Sequence, residues 1–266
     1  YLRGVPGERR MEVDATGREV RRLGGAPPRP GDNAVLTIDL DLQRLIANLL
    51  GEHLDEYITA SAVAMDPRNG EVLALVHLPA YDNNVFARGI TEREFQDLLR
   101  DPRHPLLNGA IAGAYLPGPI FHTVVAAAGL QEGIITPNQL MECSGSFLAP
   151  SRFDPTVNIP FPDYGAHGPQ DVVAALRNSC NTFFYQVGGG EPGGRFRGLG
   201  IDRLAYYARL MGLVSLTGIE LPGEIVGHFP TPEWKQRVYG EIWSHGDDSR
   251  VSAGQAHRTV TPIPVP

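Results

Sequence analysis

Residues 114–133, AYLPGPIFHTVVAAAGLQEG, place a Pro-Gly corner directly before an apolar stretch. The apolar side chains that fall on one stripe at helical spacing are Phe121, Val124, Val125 and Ala128. This spacing predicts a buried helix over residues 120–130. The start of such a helix has free backbone N–H groups and the positive end of the helix dipole, so it suits a nucleophile, with a base one turn later. Here those two positions hold Pro119 and His122.

The composition indicates a folded protein that does not bind nucleic acid. The 266 residues are 42% hydrophobic, enough for one large domain, or for one domain plus a fragment of another. The net charge of −7 argues against a nucleic-acid partner because phosphate binding needs a basic surface. No apolar run reaches the roughly 20 residues that cross a bilayer. The chain begins with Tyr1 and ends in TPIPVP, and we interpret it as part of a longer protein, with no anchor in this chain.

The N-terminal segment, residues 1–33, is rich in Arg, Gly and Pro. Within it, RMEVDATGREVRRL predicts two short strands around a turn at residues 14–17, and APPRPG then forms a stiff linker. We therefore expect residues 1–33 to be the end of another domain and residues 34–266 to form the main domain.

The next segment predicts a helix followed by a hairpin. TIDLDLQRLIANLLGEHLDEYI, residues 37–58, has an amphipathic pattern with Asp39 as its N-cap. Its apolar face consists of Leu42, Leu45, Ile46, Leu49, Leu50 and Leu54. SAVAMDPRNGEVLALVHLP, residues 61–79, predicts two strands around a turn at residues 66–70. Both strands are apolar on both faces, so we expect other residues of the polypeptide or a neighbouring subunit to cover them. The side chains concerned are Val63, Met65, Val72, Leu73 and Leu75.

The second half of the chain predicts further helices separated by loops. Residues 170–177 form a helical pattern, followed by a turn at residues 179–181 and an aromatic run at residues 183–185 that belongs to the core. Another helix is expected to start at an Asp202 cap and end at Gly212. The rest is mostly loops, with a possible helix near residues 250–257.

The cysteines and histidines do not suggest a metal site. Cys143 and Cys180 lack metal-ligand spacing, and two buried free thiols are favoured over the disulfide that an exported protein could form. SHGDD, residues 244–248, has no second histidine at helical spacing and is interpreted as a solvated loop. No metal and no cofactor is therefore expected.

Several segments, in a fixed order along nearly the whole chain, match a known family. They include AVAMDPRNGEVLALVHLPAYDNNVF, PLLNGAIAGAYLPGPIFHTV, AHGPQDVVAALRNSCNTFFYQVG and SAGQAHRTVTP. The sequence resembles class B penicillin-binding proteins, the peptidoglycan D,D-transpeptidases, and among them the elongation-type group. The resemblance implies an α+β fold of the serine β-lactamase/transpeptidase type, with a helical lobe on an antiparallel sheet. It also implies that residues 1–33 are a remnant of the N-terminal pedestal and that the C-terminal strands are missing.

The chain departs from the family where catalysis takes place. The family pattern P-G-S-x-F-K becomes Pro-Gly-Pro-Ile-Phe-His, so the nucleophile position is Pro119 and the lysine position is His122. Proline has no hydroxyl, thiol or N–H with which to form an acyl-enzyme. The S-x-N motif is retained as Ser179 and Asn181 around a cysteine. No K-T-G is found, and the superficially similar residues 258–260 are rejected. His167, in an Ala-His-Gly that matches the family, is expected to be a hydrogen-bonding loop residue.

The resemblance and the departures together predict a non-catalytic module. We expect it at the exocytoplasmic face of the bacterial cytoplasmic membrane, binding another protein of an envelope complex or a cell-wall peptide. One alternative is an active D,D-transpeptidase whose chemistry has moved to Ser179, which would need a new base and a new oxyanion hole. Another is a purely structural subunit of an unrelated membrane assembly.

Overall fold

The computed structural model describes residues 2–54, 59–151, 153, 154, 156–194, 196–255 and 261. The chain divides into two compact units, Tyr1–Ile38 and Asp39–Pro266. Within the described residues, no helix is long and apolar enough to cross a membrane.

The first unit contains the predicted hairpin of two short strands. Strands β1 (Glu8–Val13) and β2 (Glu19–Ala26) pair antiparallel, and all their residues are exposed. In the turn between them, the Asp14 carboxylate accepts hydrogen bonds from the backbone N–H groups of Thr16 and Arg18. The hairpin is therefore held by its backbone ladder and turn rather than by a core.

The second unit begins with the predicted helix and hairpin. Helix α1 (Leu40–Glu52) starts where the Asp39 carboxylate accepts hydrogen bonds from two backbone N–H groups, which confirms the expected N-cap. Strands β3 (Ala60–Met65) and β4 (Val72–Leu78) pair antiparallel. Helix α1 packs along β4.

Helix α1 closes the outer edge of β4. The Gln43 side-chain amide donates to the Leu75 carbonyl (2.9 Å), and its oxygen accepts from the Leu75 N–H (2.8 Å). The Asp39 N–H also donates to the Leu73 carbonyl (2.9 Å). Within the described residues only Ala74 and Val76 of the two strands are buried and the others are partly exposed, so cover by further residues of the polypeptide or by a neighbouring subunit stays a prediction. Among these residues no further strand pairs with β3.

Three short helices follow the hairpin: α2 (Asn84–Ala87), α3 (Glu92–Arg100) and α4 (Gly109–Ala112). A capping box between Thr91 and Glu94 starts α3. Helix α4 lies against the hairpin so closely that a Cβ on Gly109 would come within 2.6 Å of the His77 ring. Only glycine allows this approach.

Four helices form the core of the second unit. They are α5 (Phe121–Gln131), α6 (Val172–Arg177), α7 (Asn181–Gly189) and α8 (Gly200–Leu210). The predicted helices at α5, α6 and α8 are confirmed, and the aromatic run at residues 183–185 is fully buried, as expected. Helix α8, however, begins two residues before Asp202, so that carboxylate lies in the first turn and is not the cap. No side chain caps this helix.

A long antiparallel hairpin and one further helix, α9 (Pro232–Tyr239), were not predicted, and the helix expected near residues 250–257 begins earlier, at His245. Strands β5 (Met141–Pro150) and β6 (Asn158–Gln170) pair with each other and pack against α7. The prolines and glycines of β6 resemble a loop in sequence, but β6 pairs on one side only, where proline is tolerated. Helices α9 and α10 (His245–Ser252) lie in the segment expected to be mostly loops.

The interpretation of residues 244–248 as a solvated loop is wrong. Ser244 and Asp247 form a capping box that starts α10. Asp247 is only 7% exposed and accepts a hydrogen bond from Lys235, which is 4% exposed, at 2.7 Å. Residues 244–248 were expected to be exposed, but they form a helix start that contains one partner of a buried ion pair. The whole arrangement of helices and antiparallel hairpins is the mixed α+β architecture predicted from the sequence.

Candidate functional site

The turn that carries Pro119 has the geometry of a helix start without a reactive side chain. Gly118 has a φ of 56°, and residues Gly118–Ile120 form a 3-10 turn that runs into α5. Pro119 lies on the surface in the first turn, where its missing N–H costs nothing. The position is accessible, but it offers no atom that could attack an acyl group.

Two glycines hold this turn against the end of α10. The Gly118 N–H donates to the Gly254 carbonyl (3.2 Å). A Cβ on Gly254 would lie 2.0 Å from the Gly118 carbonyl oxygen, and Gly254 has a φ of 78°. Both the contact and the backbone conformation require glycine there. The turn is therefore fixed in place even though its catalytic residue type is absent.

His122 is a buried side chain of the helical core. Its side chain is 1% exposed, and its ring stacks on Phe184 with centroids 4.0 Å apart and planes 14° apart. Since Phe184 lies on α7, this contact joins the helix that follows Pro119 to the helix that follows Ser179. His122 acts here as a flat core side chain between two helices.

Ser179 occupies the strained turn between α6 and α7. Its φ of 52° is in the left-handed region, which is uncommon for a non-glycine residue and is found most often at functional sites. The Ser179 hydroxyl and the Asn181 side-chain oxygen are buried, and neither has a hydrogen-bond partner among the described residues. Buried polar atoms of this kind are unusual, and they are satisfied when a ligand or water binds.

Asp163 of β6 caps α7 from outside the helix. Its carboxylate accepts hydrogen bonds from the backbone N–H groups of Asn181 (3.0 Å) and Thr182 (2.7 Å). A negative charge at this helix end is favoured by the helix dipole. No local pattern indicates this role, because Asp163 comes from a proline-rich strand that is distant in sequence.

The expectation of two free thiols is wrong. Cys143 of β5 and Cys180 at the start of α7 form a disulfide, with Cα atoms 6.3 Å apart. The unpredicted β5–β6 hairpin brings the two residues together, since 37 positions separate them in sequence. The disulfide fixes the middle residue of the Ser179–Asn181 turn to the hairpin.

Cys143, Asp163 and Cys180 are also the described residues best placed to hold a metal. One ligand atom from each lies within 4.8 Å of the others. If the disulfide were reduced, two thiolates and a carboxylate would form a donor set of the kind that zinc prefers. With the disulfide formed, both sulfurs are already bonded, and only the Asp163 carboxylate remains as a donor.

The remaining candidate residues lie away from this turn or outside the described residues. His167 is exposed and lies in β6 rather than in a loop, and its carbonyl accepts a hydrogen bond from the Gln170 amide (2.9 Å). Residues 258–260, rejected above as a K-T-G equivalent, lie outside the described residues. His122 on α5 and Asn181 on α7 therefore lie in two helices that contact each other, and Ser179 lies in the turn just before α7.

Comparison with known proteins identifies relatives of this fold and site. The chain matches the family described as penicillin binding protein transpeptidase domain over residues 60–265. It is 38% identical over 264 residues to the peptidoglycan D,D-transpeptidase MrdA of Escherichia coli, covering 98% of this chain and 39% of the relative. The chain therefore spans about two fifths of the length of that curated relative.

Two solved structures show the same fold over almost the whole chain. A chain from a peptidoglycan synthase complex superimposes with a TM-score of 0.78 and 34% identity, covering 99% of this chain and 45% of that one. The penicillin-binding protein PBP2 of Helicobacter pylori, solved in complex with MreC, gives a TM-score of 0.74 and 27% identity, covering 98% and 45%.

Proposed function

The chain belongs to the penicillin-binding protein transpeptidase family, and we propose that it has lost acyl transfer and serves as a binding subunit in peptidoglycan assembly. The observation that carries this proposal is Pro119 at the position of the nucleophile. Removing the nucleophile of an acyl-transfer enzyme lowers kcat by about 10⁶-fold. Proline cannot be converted into a nucleophile by moving protons.

The preserved framework supports a binding role rather than simple decay. The left-handed backbone of Ser179 and the unpartnered side-chain oxygen of Asn181 both cost stability, and a bound ligand would account for their presence. The buried oxygens of Ser179 and Asn181 are hydrogen-bonding groups that a peptide can satisfy.

The setting we propose is the exocytoplasmic face of the bacterial cytoplasmic membrane. The disulfide supports it, because disulfides persist in oxidising compartments. A partner protein within an envelope complex is the occupant we favour, since the Helicobacter pylori relative was solved with MreC. A cell-wall peptide is the second ligand class.

A specific observation favours the alternative that acylation has moved to Ser179. Its hydroxyl has no partner among the described residues, and its backbone is strained, as in many nucleophiles. The lack of a partner for the hydroxyl also argues against catalysis at Ser179, because a nucleophilic serine needs a base hydrogen-bonded to its hydroxyl. We therefore keep catalysis at Ser179 as the competing hypothesis.

Intact-protein mass spectrometry after incubation with benzylpenicillin separates the two hypotheses. The expected result is no added mass, with an active penicillin-binding relative as the positive control. An added mass of one penicillin per chain that disappears in Ser179→Ala would establish the alternative and refute the loss of acyl transfer. Thr123→Ala, at an exposed position of α5, is a matched control variant that should leave the result unchanged.

A further inference from the structure

A cavity of about 500 Å³ lies beside the Pro119 turn, within the size range of sites for small molecules and short peptides. Its lining includes Leu116, Pro160, Phe161, Pro162, Tyr185 and Arg250. Leu116 immediately precedes the Pro-Gly corner. Gln255 also lines the cavity, and it directly follows Gly254, whose carbonyl accepts the hydrogen bond from Gly118. The cavity therefore adjoins the fixed turn without including Pro119, His122 or Ser179.

The positive charge of Arg250 is available to a ligand. Its guanidinium lies 4.9 Å from the centre of the Phe161 ring, which orients it by a cation–π contact. Among the described residues, no carboxylate lies within ion-pair distance of it. The aromatic ring holds the guanidinium in place and leaves its N–H donors free. Such an arginine can bind a carboxylate through two parallel hydrogen bonds.

A second donor lies beside Arg250. The Tyr185 hydroxyl lies within hydrogen-bond distance of two acceptors, the Pro162 carbonyl oxygen (3.2 Å) and the Gln255 side-chain oxygen (3.3 Å), and its single proton is shared between them. Burial raises the pKa of Tyr185 to about 12, so the hydroxyl keeps its proton at neutral pH. The Gln255 NH₂ group makes no hydrogen bond to any of the described residues, so it is a donor available to a ligand.

The rest of the lining is apolar. Phe161 packs edge-on against Tyr185, with ring centroids 5.6 Å apart, and Leu116 is 58% exposed beside them. Such a surface suits an aliphatic side chain next to the charged group of a ligand. Charge and apolar surface thus occur together in one cavity.

We propose that this cavity binds a peptide carboxylate, with the carboxylate on Arg250 and Gln255 and a neighbouring apolar side chain on Phe161 and Leu116. The inference rests on the proposed binding function, because it names the ligand class that the module takes. It does not depend on how the chain reacts with penicillin. A peptide could present this group either at its C-terminus or on an acidic side chain.

Calorimetric titration with three probe peptides tests the proposal. Acetyl-Leu-Ala with a free C-terminus and acetyl-Leu-Glu amide each carry one carboxylate, whereas acetyl-Leu-Ala amide carries none. We expect at least one carboxylate peptide to bind with a dissociation constant of about 10 mM or lower. The uncharged peptide should bind at least tenfold more weakly. Binding of only the first or only the second acid would identify the source of the carboxylate.

The Arg250 variants make the test specific. Arg250 is exposed, so Arg250→Gln should fold, and it should weaken binding of the carboxylate peptide at least tenfold. Arg250→Lys keeps the charge but loses the planar donor pair and should give an intermediate affinity. Arg237→Gln, an exposed arginine of α9, is the matched control. Equal binding of acid and amide peptides, no binding of any probe, or an unchanged affinity of Arg250→Gln would each refute the carboxylate site, whatever the penicillin result.

Discussion

Pro119 and His122 lie three residues apart at the start of α5, but they differ in what they do for the fold. Pro119 is exposed and meets the local requirements of a first helical turn. His122 is buried and forms a stacked contact between α5 and α7. Pro119 thus fits the helix start without offering a nucleophile, and His122 contributes to packing between two helices.

Asp248 is a largely buried carboxyl group whose negative charge opposes folding at neutral pH. Burial raises its pKa to about 6, although Trp243 donates a hydrogen bond to it at 2.9 Å. The folded protein therefore holds this proton more tightly than the unfolded chain. The stability that the protonated carboxyl contributes at acidic pH is lost as the pH rises through about 6.

Asp248→Asn should consequently stabilise the protein at neutral pH. Asparagine can still accept the hydrogen bond from Trp243 and carries no charge, so we expect the free energy of unfolding to rise by roughly 1–3 kcal/mol near pH 7.5. Near pH 4 the variant should show little or no gain. Urea unfolding at both pH values measures this, with the exposed Asp97→Asn as control. A gain of equal size at both pH values would contradict the explanation by burial.

At the scale of elements, two long-range connections decide how helices meet strands. One is the Gln43 side chain, which completes the hydrogen bonding of Leu75 at the edge of β4. The other is the disulfide that ties α7 to β5. Each joins a helix to a hairpin that by itself would be only marginally stable.

Gln43→Ala should loosen the edge of β4. The substitution removes two hydrogen bonds and leaves the Leu75 backbone groups without these partners, so we expect a loss of about 1–3 kcal/mol in unfolding free energy. Hydrogen exchange of the Leu75 amide should accelerate. Asn48→Ala, at an exposed position of the same helix, is the control. Unchanged protection of Leu75 would mean that the side chain does not hold this edge.

Removal of the disulfide should destabilise the helical lobe. A link across 37 positions stabilises a fold by about 3–4 kcal/mol in the chain-entropy description. The double variant Cys143→Ser, Cys180→Ser should therefore have a free energy of unfolding lower by about that amount. Denaturant titration of the variant and of the unsubstituted chain, both without reductant, measures this difference. Thiol titration of the unfolded natural chain should find no free cysteine. Two reactive thiols in that sample would contradict the disulfide.

At the scale of the whole molecule, the chain consists of two compact units with different kinds of stability. The first unit is a fully exposed hairpin, whereas the second contains the buried helical core. Val35 is 96% exposed and Leu36 is 71% exposed, shortly before the boundary at Ile38. These side chains are accessible to a protease that cuts next to apolar residues.

Limited digestion with thermolysin should therefore cut first before Val35 or Leu36. The larger fragment is expected to keep the helical circular dichroism of the intact chain, because the core helices all lie in the second unit. Mass spectrometry of the fragments locates each cut, and a time course of the digestion shows which cut comes first. An early cut within α5 or α7 would instead mean that the helical core opens more readily than the segment between the units.

The sequence by itself predicted helices α1, α5, α6 and α8 and the first two hairpins, and it shows that residue 119 carries no nucleophilic group. These follow from local periodicity, from turn residues such as Asp14, and from the chemistry of a single side chain. Only the tertiary structure decided the β5–β6 hairpin, the disulfide, the Asp163 cap and the position of Arg250 over Phe161. Each of these joins residues far apart in sequence, so no local pattern records it, and the prolines of β6 even indicate a loop. The same reason explains His122, whose role depends on Phe184 of another helix and not on its own neighbours.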